Sequence, residues 1–187
     1  MALALMGPGG GNKIYKSLVP PMTSTSQNGY EISAYNNGDG SNVVNAFDGN
    51  CKVCNWLDWK SVGGTIFWSK SNGDMNVTVK FPQATVVSGV IAIGPNYNDN
   101  GMIAPKSLRL QYSDTGSSYT DVGTMGGILS NVKGTATTTE EYVKNIVKNN
   151  TGHVYWRVQI YRSGEYCHHS RYYFLILSGM GIFKAMI

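Results

Sequence analysis

Charge is scarce in this chain. Asp, Glu, Lys and Arg supply 14% of its 187 residues, against roughly a quarter in an ordinary globular domain. The net charge is +4, and no block of Lys and Arg gathers it, so the concentrated basic stripe of a nucleic-acid binder is missing. Cysteine is scarce as well. Three cysteines cannot all pair within one chain, which argues against a disulfide framework. No apolar run approaches the ~20 residues of a membrane helix. Residues 1–6 are apolar, but they lack a basic start and run into Gly7-Pro8-Gly9-Gly10-Gly11. The N-terminus therefore does not read as a signal peptide, and the expectation is a protein that stays in the cytoplasm or leaves by lysis. Catalytic signatures are missing too: there is no G-x-S-x-G, P-loop or H-E-x-x-H. Asp39, Asp58, Asp99 and Glu165 do not single out the pair that a glycosidase needs. The chain reads as a non-enzyme.

What takes the place of charge is glycine (23), tyrosine (12) and abundant Asn, Ser and Thr. That mixture favours turns and strands over long helices. It suits contact with neutral polar ligands such as sugars, and it equally describes a plain all-β surface. Apolar residues reach 42%, enough for a real core in one domain.

Residues 1–17 read as an extended arm. The Gly9-Gly10-Gly11 run cannot hold a fold alone, so the arm is expected to dock on a neighbouring subunit. Residues 18–187 read as a β-sandwich, because short apolar runs alternate with turn clusters. Expected strands cover residues 30–35, then 75–81 with Met75, Val77, Val79 and Phe81 on one face. Pro82 and Gln83 end that strand, and the next covers 85–93. Further strands cover 107–112, 119–122, 154–161, 172–177 and 180–187. Residues 113–117 form a hairpin turn in which Asp114 bonds nearby backbone and Gly116 supplies a positive φ. Residues 137–148 fit either a short capped helix or a strand. Arg157, set among strand residues, is expected to pair with a carboxylate or carbonyls near the core.

Six motifs in order resemble the coagulation-factor C-type, or discoidin-like, domain, the family that includes the family 32 carbohydrate-binding modules. They are A-F-D-G-N at 46–50, Trp56 or Trp59 after it, V-T-V-K-F at 77–81, V-S-G-V-I-A-I at 87–93, P-K-S-L-R-L-Q-Y-S-D-T-G at 105–116 and Y-W-R-V-Q-I at 155–160. The resemblance covers residues 28–187. It implies an eight-stranded, galactose-binding-like jelly-roll sandwich that binds ligands through loops at one end. It also implies a calcium held by Asp48 and the carbonyls around Asn50, since oxygen ligands at a tight turn suit that ion. Two positions depart from the family pattern: Gly179 stands where a carboxylate is usual, and Cys51 and Cys54 follow the turn. With Cys167, those thiols form an alternative zinc set.

Sugar recognition needs an aromatic platform with amides, carboxylates or cations around it. The loops offer Tyr35, Asn37, Trp59, Asn96, Tyr97, Asp99, His168 and Arg171. Trp68 reads as core. His168 and His169 adjoin, so in a strand only one of them faces a shared site. The expected protein is a non-catalytic glycan-binding component of a bacteriophage virion. It would contact cell-surface glycans, dock other virion subunits through its arm and act as a multimer, with neither nucleic-acid binding nor membrane insertion. The alternatives are a purely structural virion protein and an extracellular carbohydrate-binding module of a secreted bacterial glycoside hydrolase.

Overall fold

The structure is a computed structural model. It describes residues 2–5, 13–37, 41–48, 67–68, 74–95, 105–124, 140–162, 168–169 and 171–176. The clearest local signal in the chain is the alternation of β6 (Met75–Val86). Met75, Val77, Val79 and Phe81 are buried, while Asn76, Thr78 and Lys80 between them are only half-buried. Such alternation places one strand face on a core.

β6 lies between β4 (Tyr30–Tyr35) and β11 (Gly152–Arg162). Beyond β11 come β8 (Pro105–Ser113) and β9 (Thr120–Asp121), and β3 (Ser26–Gln27) pairs with the outer side of β4. Together they make a six-stranded antiparallel sheet. The register brings the apolar residues into line. Ile32 and Trp156 flank Val79, Ala34 and Val158 flank Val77, and Ile160 sits between Met75 and Leu108.

The second sheet contains β1 (Ala2–Leu5), β2 (Lys13–Ser17), β13 (Arg171–Ile176), β7 (Gly89–Pro95) and β10 (Glu140–Ile146), in that order. The chain crosses between the sheets at residues 87–88 and 147–151. These crossings are laced together: Val147 N–H donates to Ser88 O at 2.9 Å, and Asn149 Nδ2 donates to Val87 O at 3.1 Å. Val87, Val90 and Val147 thereby join the buried cluster formed by the six-stranded sheet. A two-stranded ladder of β5 (Phe67–Trp68) and β12 (His168–His169) completes the description. No helix among the described residues is long and apolar enough to cross a membrane.

The all-β sandwich agrees with the sequence expectation, and several details do not. The described strand segments number thirteen in three sheets, four of them two residues long. Residues 140–146, left open as helix or strand, are strand. Pro82 does not end its strand; β6 continues to Val86. Pairing to β11 passes from Lys80↔Tyr155 to Thr85↔His153 through an irregularity. Pro82 falls inside that bulge, where a missing N–H costs no ladder bond. Residues 85–86 therefore belong to β6, and the following strand starts only at Gly89. The stretch expected as an extended arm carries the β1–β2 hairpin, and β2 pairs with β13 of its own domain through Ser17↔Leu175 and Lys16↔Ile176. The strand expected at 180–187 lies outside the described residues.

The 113–119 hairpin is also built differently. Ser113 Oγ, not Asp114, holds the turn: it accepts from Gly116 N–H at 2.9 Å and Thr115 N–H at 3.2 Å. Asp114 instead reaches His153 Nδ1 at 2.8 Å. Ser113 is buried, and Ser113→Ala removes the acceptor shared by two turn N–H groups. We expect a loss of about 1–3 kcal/mol, read as a lower thermal midpoint. An unchanged midpoint would contradict this role for the hydroxyl.

Candidate functional site

The strand directions gather particular ends on one side of the sandwich. β4 finishes at Tyr35 opposite Asn76, near the start of β6. β11 finishes beside the start of β8, through Tyr161↔Ser107 and Arg162↔Pro105. In the other sheet β7 finishes at Pro95 opposite Glu140, and β13 starts at Arg171 opposite Ile93. Segments 38–40, 96–104 and 163–167 all attach to strands at this end.

Tyr35 is the most prominent residue there. Its side chain is 72% exposed, the one large apolar side chain so displayed among the described residues. Its neighbour Ala34 packs on the core, so Tyr35 points to the outer face of the sheet. The turn after it is held firmly. Asn36 adopts a left-handed φ of 62°, which Asn tolerates better than most residues. Its Nδ2 donates to Asp74 O at 3.1 Å, tying the end of β4 to the start of β6. Asn37 Nδ2 donates to Ser41 O at 2.9 Å. Part of the bonding capacity of Asn37 therefore closes the loop.

Of the other expected site residues, Arg171 opens β13 in the opposite sheet at the same end. His168 pairs with Trp68 and His169 with Phe67. The β-ladder position of Trp68 places it beside His168 in register. Trp59, Asn96, Tyr97 and Asp99 lie outside the described residues, as do Asn50, Cys51, Cys54 and Cys167. Asp48 is half-buried just after a 3₁₀ turn, Val43–Ala46, that Asn42 caps through Val44 N–H at 3.0 Å. Among the described residues no three His, Cys, Asp or Glu side chains converge as metal ligands. Asp48 alone does not make an ion cage.

Sequence reasoning missed the outer face of the six-stranded sheet. Its signal was the second half of the β11 alternation: Tyr155, Arg157, Gln159 and Tyr161 between the buried Trp156, Val158 and Ile160. Arg157, expected to pair with a carboxylate or carbonyls, meets a side-chain carbonyl. Its Nε donates to Gln111 Oε1 at 2.7 Å, and its guanidinium lies 3.7 Å from the centre of the Tyr119 ring. Burial pushes Arg157 below its usual pKa, while Tyr119 and Asp121 pull it back up. Gln111 Nε2 donates to Asp121 Oδ1 at 2.7 Å, and Asp121 Oδ2 holds Arg109 at 3.1 Å. Arg109 lies over the Tyr161 ring at 5.5 Å, and Tyr161 Oη donates to Gln159 Oε1 at 3.0 Å. Lys80 and Glu31 pair at 2.7 Å farther from the loop end, and the hydrogen bond and charge of Glu31 raise the Lys80 pKa. Asn76 stands apart from this network. Its Oδ1 is buried and accepts no hydrogen bond, a condition that costs about 1–3 kcal/mol.

No family model matches the chain, and no curated protein sequence matches it. Solved structures do. One is the family 32 carbohydrate-binding module of Clostridium perfringens NanJ in complex with galactose. It matches at a TM-score of 0.55 and 11% identity, over 86% of this chain and 98% of its own. The F5/8 type C domain of a Bacteroides fragilis protein matches at 0.53 and 11%, over 86% and 95%. Chitosan-binding module 1 from a chitosanase/glucanase of Paenibacillus sp. IK-5 matches at 0.51 and 17%, over 87% and 99%. Two of these three neighbours are carbohydrate- or chitosan-binding modules by name. This chain has the fold of the family 32 carbohydrate-binding modules and the F5/8 type C, or discoidin-like, domains, as its six motifs suggested.

Proposed function

We propose that this protein is a non-catalytic carbohydrate-binding module that takes a neutral glycan at the loop end of the sandwich. The observation that carries this reading is the exposed Tyr35 ring on a braced strand end, in a fold whose relatives include galactose- and chitosan-binding modules. An aromatic ring held away from the core offers a flat apolar surface to a sugar ring, and amides beside it address the hydroxyls. Tyr35 and Asn37 start the site. Trp59, Asn96, Tyr97, Asp99, His168 and Arg171 are its proposed continuation.

One sugar buries little surface, so single-site affinity falls in the millimolar to micromolar range, about −4 to −8 kcal/mol. Many linked copies would raise avidity by roughly 10²–10⁴. That supports a repeated virion component, docked through residues 1–17, whose β1 is the outermost strand of its sheet among the described residues. A module of a secreted glycoside hydrolase is the second reading. The chitosanase/glucanase origin of one neighbour favours it.

Tyr35→Ala tests the site. We expect binding of galactose, or of GalNAc-β-1,3-galactose, to weaken by about tenfold or more, equivalent to about 1.4 kcal/mol, with the melting temperature unchanged. Calorimetric titration reads the first and a thermal melt the second. Equal binding by variant and wild type would remove Tyr35 from the site.

A further inference from the structure

The register of the six-stranded sheet lays out a row that no single-sugar site requires. Tyr35 is opposite Asn76, Asn76 is opposite Gln159, and Gln159 is opposite Arg109. All four stand on the outer face, because Ala34, Met75, Val77, Val158, Ile160, Leu108 and Leu110 beside them face the core. We propose that this row is a chain-binding track: a linear, uncharged oligosaccharide lies across the four strands with one ring on Tyr35 and successive units over Asn76, Gln159 and Arg109. The proposal rests on the glycan-binding reading above and specifies its ligand class, an extended chain in place of a terminal sugar.

Three observations separate this row from an ordinary polar sheet face. The first is length. Neighbouring strands are about 4.8 Å apart, so four strands span about 14 Å, a distance that fits a chain of about three sugar units and exceeds one ring. The second is hydrogen-bonding state. One step along the sheet, Arg157 and Gln111 are committed to each other, to Tyr119 and to Asp121. A further step along, Lys80 and Glu31 are paired. In the track row, by contrast, Asn76 Oδ1 has no partner. The terminal torsion of Asn is broad, so a small rotation presents that carboxamide, both donor and acceptor, to a ligand hydroxyl. Gln159 is already oriented, because its Oε1 accepts from Tyr161 Oη.

The third is charge. Arg109 is the only ion in the row, and Asp121 holds it at 3.1 Å. Its charge is compensated, which favours hydroxyls over carboxylates or sulfates as partners. The other end of the row is Tyr35, where the loop end of the sandwich begins, so the track continues the proposed site.

The test compares chain lengths. Galactose is titrated against β-linked galactotetraose, and N-acetylglucosamine against chitin tetrasaccharide, with the full chain and with Gln159→Ala, Arg109→Gln and the same-face control Lys80→Ala. We expect the wild type to bind one tetrasaccharide about tenfold or more tighter than its monosaccharide. Gln159→Ala and Arg109→Gln should bring that ratio to about twofold or less while leaving monosaccharide affinity in place, and Lys80→Ala should keep it. Should Gln159→Ala fail to fold, Arg109→Gln supplies the same readout. A wild-type ratio near one overturns the track, as does a ratio that survives both variants. In either case monosaccharide binding that depends on Tyr35 leaves the glycan-binding reading standing. Wild type that binds none of the four sugars overturns both.

Discussion

Trp156→Ala is expected to cost about 3–5 kcal/mol, the usual range for deleting a large aromatic side chain from a core. Trp156 is fully buried near the middle of β11, in register with Val79 on one side and Tyr112 on the other. Its ring meets Tyr112 at 6.1 Å and the edge of His153 at 5.6 Å. The loss is also polar. The indole N–H donates to Thr85 O at 2.9 Å and to His153 O at 3.1 Å, so one donor closes the bulge around Pro82. Alanine leaves both carbonyls without it. Total stability of a domain is typically 5–15 kcal/mol, so the variant should sit near its folding threshold. Urea unfolding followed by far-ultraviolet circular dichroism measures the change. Trp156→Phe, which keeps most of the volume but not the donor, should fall between the two. A loss below about 1 kcal/mol for Trp156→Ala would mean that the ring is not the keystone of the sheet.

Gly116→Ala should be the most costly of the small-to-small substitutions described here. Gly116 holds φ at +79° in the 113–119 hairpin, a region costly for a residue with a Cβ. An added Cβ would stand 2.9 Å from Cε1 of the Tyr155 ring, closer than real carbon contacts allow. We expect about 1–3 kcal/mol for the backbone alone. At about 2–4 °C per kcal/mol for a chain of this size, a thermal melt should resolve it easily. Tyr155→Ala in the same background should recover the part due to ring overlap but not the part due to φ. A fully additive pair would show that the ring is not the obstacle.

The strands with clean alternation were legible from the residues. Residues 30–35, 75–81, 107–112 and 154–161 carry apolar side chains at period two, and the register confirms their faces. What failed was punctuation. Pro82 looks like a terminator because proline lacks an N–H, yet a bulge in β11 pairing removes the need for one. Asp114 looks like the turn-former because Asp often is. Ser113 is closer to the two N–H groups, and Asp114 is drawn to a histidine 39 positions later, a partner that only tertiary structure reveals. Arg157 was expected to pair with a carboxylate or carbonyls; β8 brings it the amide oxygen of Gln111, and Tyr119, just before β9, covers its guanidinium. The place of β2 between β1 and β13 depends on pairing with residues near the far end of the chain, which no local pattern encodes. At the site, Tyr35 was legible as an aromatic beside Asn-Gly turn sequence. The row through Asn76, Gln159 and Arg109 was not, because those residues are 33, 50 and 83 positions apart and meet only through strand order.

The claim that the loop end binds glycan is tested most directly by titrating isotopically labelled protein with galactose and mapping amide shift changes by NMR. The account predicts saturable changes at Tyr35, Asn36 and Asn37 and in segment 96–104, with the hairpin at residues 113–119, at the other end of the sandwich, unmoved. Changes centred on that hairpin, or no saturable change with galactose or chitin oligomers, would contradict it.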